Sequence, residues 1–172
     1  MWLLNPAFGL VNGMLAAFGI DGPAWLGSET WSKPSLILMS LWGIGQAIVI
    51  YLAGLGDIPQ EYYDASEVDG ANWWQKTVHI TLPLLTPVIF FNLVMGIIGA
   101  FQQFTLPYAL TKGQGTPANS MLFYVMYLYD NGFKYFKMGY ASAMAWILFV
   151  VIMVLTLIIF ATSKRWVHYQ GK

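Results

Sequence analysis

The side chains able to do chemistry crowd into one short stretch, residues 57–82. Asp57, Glu61, Asp64, Glu67 and Asp69 supply carboxylates, and Lys76 and His79 follow them. Carboxylates in such a run can pair with basic side chains on a partner, favour helix N-termini, or form a solvated face. The solvated face suits Glu61 and Glu67 best. His79 has no second ligand near it, so it reads as a packing or interface residue and no metal site is expected. No catalytic residue is expected either. A Gly-rich phosphate loop ending in Lys-Ser/Thr, a His-Glu-x-x-His pair and a Gly-x-Ser-x-Gly elbow are all absent, which leaves ATP hydrolysis, metalloprotease and serine-hydrolase chemistry without support. With no cysteine in the chain, thiol chemistry is excluded.

The elements that must position this stretch are apolar. Of 172 residues, 58% are hydrophobic, 17% aromatic and 9% charged, against about 25% charged in an ordinary soluble domain. No charged residue falls between Lys33 and Asp57, between Lys76 and Lys112, or between Lys137 and Lys164. Each gap exceeds the roughly 20 residues needed to cross about 30 Å of hydrocarbon at about 1.5 Å per residue. The chain is therefore expected to be an all-α membrane protein set in the lipid bilayer. Three transmembrane helices are expected at about 35–55, 84–105 and 140–161, with Pro34 and Pro83 opening the first two. Gly43, Gly45 and Gly54 suit close helix packing. Residues 1–33 carry too much Pro and Gly for a straight span. They suggest a short interfacial helix near 7–18, with Trp25 and Trp31 in the headgroup belt. A loop over 106–119 and an aromatic surface helix over 120–136 complete the chain. Net charge is zero, which gives no basic face for nucleic acid.

Charge alone does not orient the chain. Lys76, Lys164, Arg165 and Lys172 on one side balance Lys33, Lys112, Lys134 and Lys137 on the other. The basic tail, 166–172, directly after the last span favours an inside C-terminus. That puts residues 1–33 outside and the polar stretch inside. Within that stretch, Asp57 can cap a helix with Pro59 in its first turn. Gly70 can end that helix in the left-handed conformation, and a second short helix runs from about Asn72 to Thr81.

The spacing inside this helix–turn–helix is specific. Asp64-Ala65-Ser66 is followed by three residues and Gly70, then by nine residues and Ile80-Thr81-Leu82-Pro83. The pattern resembles the EAA loop of binding-protein-dependent ABC importer permeases: Glu-Ala-Ala, three residues, Gly, nine residues, Ile-x-Leu-Pro. Ile58-Pro59, Asp69-Gly70-Ala71, the segment Thr111 to Pro117 and Met138-Gly139-Tyr140-Ala141-Ser142-Ala143 extend the likeness to the carbohydrate branch, similar to the maltose and glycerol-3-phosphate permeases. The resemblance covers most of 34–165. Two positions depart from it: Asp64 stands for Glu and keeps the charge with a shorter reach, and Ser66 stands for the second Ala.

The resemblance implies the C-terminal half of a type I ABC importer transmembrane domain (34–165), with a coupling loop at 57–83. Asp64, Ala65, Ser66, Asp69, Gly70, Ala71, Ile80, Leu82 and Pro83 would dock on a cytoplasmic ABC ATPase subunit. A second permease subunit and an extracytoplasmic solute-binding protein are the other implied partners. The location would be a bacterial or archaeal plasma (inner) membrane, with no cofactor bound by this chain. Permeases of this kind usually have five or six core spans, so the three visible here imply a partial pore. Gln102 and Gln103 would line the sugar path, with Asn92, Tyr108 and Tyr127 as weaker candidates. Hydrogen bonding between helices explains the two glutamines equally well, because an amide facing lipid is costly by about 1–3 kcal/mol. Two other functions stay open: import of a non-sugar solute, and a membrane interaction protein that transports nothing.

Overall fold

The computed structural model describes residues 2–168. Every regular element among them is helical. Three stretches are long and apolar enough to cross a membrane: Glu29–Gly56, Trp73–Thr111 and Met138–Ser163. Lys172 and the rest of the tail beyond residue 168 lie outside the described residues. The chain forms two compact units. One comprises Met1–Gly43 with Phe101–Leu148, the other Ile44–Ala100 with Phe149–Lys172.

The first unit opens with α1 (Leu10–Ala17) and α2 (Glu29–Ser40). The first spanning helix thus starts six residues before the expected Ser35, and Pro34 sits inside α2 instead of opening it. The N-terminal segment is organised by Asn12, which is buried. Its amide donates to the Pro6 and Pro23 carbonyls at 3.1 and 3.2 Å, and its oxygen accepts from the Trp25 indole N–H at 2.6 Å. Trp25 therefore turns inward, 8% exposed, instead of standing in a headgroup belt. Gly22 is required beside this hub, since a Cβ there would overlap the Asn12 amide. Ser35, fully buried, lies within bonding distance of the Trp25 and Trp31 carbonyls, and Ser32 donates to Ser120 at 2.8 Å.

In the rest of this unit the expected loop over 106–119 is partly helical, while helix is present within the expected 120–136. α7 (Thr105–Thr111) occupies the start of the stretch expected to be a loop, and α8 (Tyr124–Tyr129) is followed by a π-helical turn, Asp130–Lys134. Thr111 donates to the Pro107 carbonyl and accepts from Gly115 N–H, which folds the intervening turn back on α7. The Tyr124 hydroxyl donates to the Met144 carbonyl at 2.9 Å, within α9 (Met138–Ser163).

The second unit holds α3 (Gly45–Gly56), α4 (Gln60–Val68), α5 (Trp73–Lys76) and α6 (Leu82–Phe101), with the end of α9. α3 continues α2 through a 3₁₀ turn, Leu41–Ile44. Gly43 lies within that turn and Gly45 follows it, and glycine weakens the α-helix by about 1 kcal/mol. Of the three glycines expected to serve packing, Gly54 is the one pressed against a neighbour in this chain: a Cβ there would lie 2.6 Å from Val88 Cγ2. Phe90 packs edge-on against Phe160 at 4.9 Å.

Candidate functional site

The polar stretch folds as helix, turn, helix. α4 begins after Pro59, which is its N-cap residue in extended conformation, while Asp57 is the C-cap of α3 and makes no side-chain cap. The expected Asp57 cap is thus replaced by a sharp α3–α4 corner pinned by buried Ile58. Glu61 lies in the first turn of α4, where the helix dipole favours it.

Gly70 ends α4 in the left-handed region, φ +73°. Ala71 N–H bonds the Ser66 carbonyl at 2.9 Å and Gly70 N–H bonds that of Glu67 at 3.0 Å. This 6→1 and 5→2 pair is the Schellman motif, which satisfies carbonyls that a helix end would otherwise orphan. Asn72 then starts α5 with a reciprocal capping box. Gln75 N–H donates to Asn72 Oδ1 at 2.9 Å, and Asn72 N–H donates to Gln75 Oε1 at 2.8 Å. Six consecutive residues, Ser66 to Ala71, thereby set one fixed turn.

Two side-chain links tie the short helices together. Lys76 Nζ lies 2.7 Å from Glu67 Oε1 across the turn, and Tyr63 and Thr81 share a hydroxyl–hydroxyl bond at 2.9 Å. The Lys76 bond and charge hold the Glu67 carboxyl below the usual glutamate range. Glu67 is exposed as expected, yet it is paired instead of merely solvated. Both links span the turn, and neither follows from a helical or strand period, so the sequence pattern did not point to them.

The motif residues divide by exposure. Asp64, Ala65, Asp69, Gly70 and Leu82 are exposed; Ala71, Ile80 and Pro83 are half-buried; Ser66 is buried. Asp64 keeps both carboxylate oxygens near solvent, with one 3.3 Å bond from Gln60. The Ser66 hydroxyl donates to the Tyr63 carbonyl at 2.7 Å, so the replacement of Ala by Ser is absorbed inside α4. Apolar side chains also face outward on this element: Val68 is 89% exposed, Trp73 74% and Trp74 65%.

Pro83 does not break the chain between α5 and the membrane. Residues 77–81 form a π-helical turn and the helix runs on from Trp73 through Phe101. Proline lacks the N–H that would bond four residues back. The wider π turn absorbs this, with Leu82 N–H bonding the Thr77 carbonyl. Thr77 and Thr81 hydroxyls donate to the carbonyls of Trp73 and Lys76. The expected separate helix ending at Thr81 is instead the first three turns of the second span.

The expected substrate-path residues fall in both units. Asn92 belongs to the second unit, where its amide donates to the Val88 carbonyl one turn back at 3.0 Å. Gln102 and Gln103 belong to the first unit and sit in a break between α6 and α7, the former exposed and the latter half-buried. Tyr108 stacks on Phe104 at 5.0 Å and meets Tyr129 edge-on at 5.5 Å, while Tyr127 is exposed on α8. Among the described residues no group of three or more His, Cys, Asp and Glu is placed to hold a metal.

Residues 1–168 match the model of the family described as binding-protein-dependent transport system inner membrane component. The probable ABC transporter permease protein YesP of Bacillus subtilis (strain 168) is 49% identical over 165 residues, 95% of this chain and 53% of that protein. The arabinooligosaccharides transport system permease protein AraP of the same organism is 39% identical over 150 residues, 87% and 48% of the two chains. A crystal structure of a bacterial alginate ABC transporter, in complex with an alginate pentasaccharide-bound periplasmic protein, aligns with TM-score 0.79 at 27% identity. It covers 95% of this chain and 57% of that one. The chain spans about half the length of these relatives.

Proposed function

Because this chain belongs to the family of binding-protein-dependent transport system inner membrane components, a family of multi-pass inner-membrane permeases, we propose that it is a permease subunit of an ATP-driven saccharide importer, coupled to its ATPase through residues 57–83. The saccharide reading is supported by the relatives named for arabinooligosaccharide and alginate transport. The coupling reading rests on one observation: a helix–Gly70–helix element, with the importer-loop spacing, joins the first apolar stretch to the start of the second.

The element is built to pass on a push. The Schellman turn, the Lys76–Glu67 pair and the Tyr63–Thr81 bond make α4 and α5 move as one body. The helix runs on from Trp73 through the π turn to Phe101 without a loop at Pro83, so a displacement of α5 would be carried into the second span. An ATPase subunit closing on bound ATP would press on Asp64, Asp69 and the exposed Val68 and Trp73, and the second span would follow. A charge pair from Asp64 to a basic residue of that subunit would contribute on the order of 1 kcal/mol once desolvated. A second permease subunit would complete the pore, and an extracytoplasmic solute-binding protein would deliver the saccharide.

Gly70 gives the test. A Cβ at this position meets nothing within 4 Å in this chain, so a bulky side chain would fill space kept free for a partner. In cells carrying the complete importer, Gly70→Trp should reach the membrane at normal levels, fail to retain the ATPase on purification, and abolish uptake of labelled saccharide. Normal uptake by this variant would remove the coupling role.

A further inference from the structure

A cavity of about 320 Å³ lies in the first unit, lined by Tyr108, Tyr129, Asp130, Phe133, Lys112 and Lys134 with the backbone of Gly113. Its size falls within the range of small-molecule sites, roughly 300–1,000 Å³. Asp130 is 8% exposed. Its backbone carbonyl bonds Tyr135 N–H, yet its carboxylate accepts no hydrogen bond and joins no ion pair among the described residues. Burying a charge without a partner is costly, and an acid this little exposed that lines a cavity gains a partner from what enters it. Asp130 also begins the π-helical turn Asp130–Lys134, a conformation that recurs at functional sites.

The lining identifies the occupant's chemistry. Tyr129 and Phe133 lie side by side at 5.1 Å, and Tyr108 meets Tyr129 at 5.5 Å. Together they offer an aromatic wall for an apolar C–H face. Two lysines against one aspartate make the lining net positive, which disfavours a cationic side chain from another protein. The aromatic wall and the acceptor carboxylate of Asp130 suit a molecule with an apolar face and neutral hydroxyl donors. We propose that this cavity is a saccharide subsite, in which a sugar ring lies against Tyr129 and Phe133 and two neighbouring hydroxyls donate to the Asp130 carboxylate. The subsite rests on the importer reading above and adds to it a binding position whose lining does not include Gln102 or Gln103.

The full chain in lipid nanodiscs, titrated with arabinotriose, lactose and maltotriose by saturation-transfer NMR, should show binding of at least one. Asp130→Asn, which keeps size and shape, should weaken that binding at least tenfold, Asp130→Glu should recover part of it, and Asp21→Asn should change nothing. Silence from all three sugars in the wild-type chain overturns the subsite, as does undiminished binding by Asp130→Asn. If the solute-binding protein, free of sugar, docks on the wild type and not on Asp130→Asn, the occupant is a protein side chain and the proposal is wrong. Uptake by the assembled importer keeps the two readings apart: if it runs normally while Asp130→Asn binds sugar normally, only the subsite falls. A wild-type importer that moves none of these sugars into vesicles counts against the saccharide importer itself.

Discussion

The two units bury different things. In the first, polar side chains go inside, and all of those buried there except the Asp130 carboxylate find partners. Asn12, Ser32, Ser35, Thr111 and Asn131 are all buried, and all are hydrogen-bonded. In the second, Ile58, Leu85 and Ser66 are buried, while Val68, Trp73 and Trp74 stand out from the polar loop. Lipid supplies no hydrogen bonds and no hydrophobic drive between helices, so close contacts and internal polar bonds must hold a membrane unit together. The first unit meets that condition within itself everywhere but at Asp130. The second leaves Val68, Trp73 and Trp74 uncovered, as the proposed coupling role would require.

The sharpest way to break this contrast is at Asn12. Asn12→Ala would strip the Trp25 indole and two carbonyls of their partner. At about 1–3 kcal/mol for each buried group left unsatisfied, a loss on the order of 3 kcal/mol is expected. A thermal melt in detergent should drop clearly, whereas Trp73→Ser in the second unit should leave the melt in place and weaken ATPase retention. Equal melting shifts for the two variants would erase the distinction between the units. Gly54→Leu comes next, because its side chain would be driven into Val88 and Leu85. Overpacking of this kind costs about 1–3 kcal/mol. A melt unchanged by Gly54→Leu would mean that α3 and α6 do not approach so closely.

Gly70→Ala ranks third and separates backbone from partner. The left-handed conformation costs a residue with a Cβ about 1 kcal/mol or slightly more, and no clash is added within the chain. Stability should fall by about that amount while uptake is largely kept, in contrast to the loss expected of Gly70→Trp. If Gly70→Ala abolished uptake as completely as Gly70→Trp, backbone conformation would be the controlling factor and the free space beside Gly70 would carry no meaning.

The parts of this fold that were legible in the sequence are those set by local chemistry. Charge-free gaps located the three spans because hydrocarbon excludes charge over a fixed length. Gly70 located the turn because the left-handed conformation nearly demands glycine. What was not legible was set by competition between neighbours. Pro83 suggested a helix start, but the π turn at 77–81 absorbed the missing N–H and the helix ran through. Trp25 suggested a headgroup anchor, but Asn12, thirteen residues away, offered its indole a buried partner. The Lys76–Glu67 and Tyr63–Thr81 links, at separations of nine and eighteen, belong to no helical or strand period.

The smallest expected effect concerns that Lys76–Glu67 link. The Lys76 bond and charge lower the Glu67 pKa in the folded chain, so the pairing is fully present above the ordinary glutamate range. It is lost as pH falls through the depressed value, when the carboxyl takes up its proton. Both groups belong to the exposed loop, so salt should weaken the pair as acid does. Amide exchange at Gly70 and Ala71 should therefore rise modestly below the ordinary glutamate range, and in Glu67→Gln at neutral pH, with no matching change around Asn12. The Schellman bonds remain in either case, so exchange should stay far slower than in an open loop. A rise as large as that of an unfolded segment would show the ion pair, not the backbone motif, to be what holds the Gly70 turn. No rise at all would leave the turn to Gly70 and the capping box alone, and would make the second unit's one fixed element independent of charge.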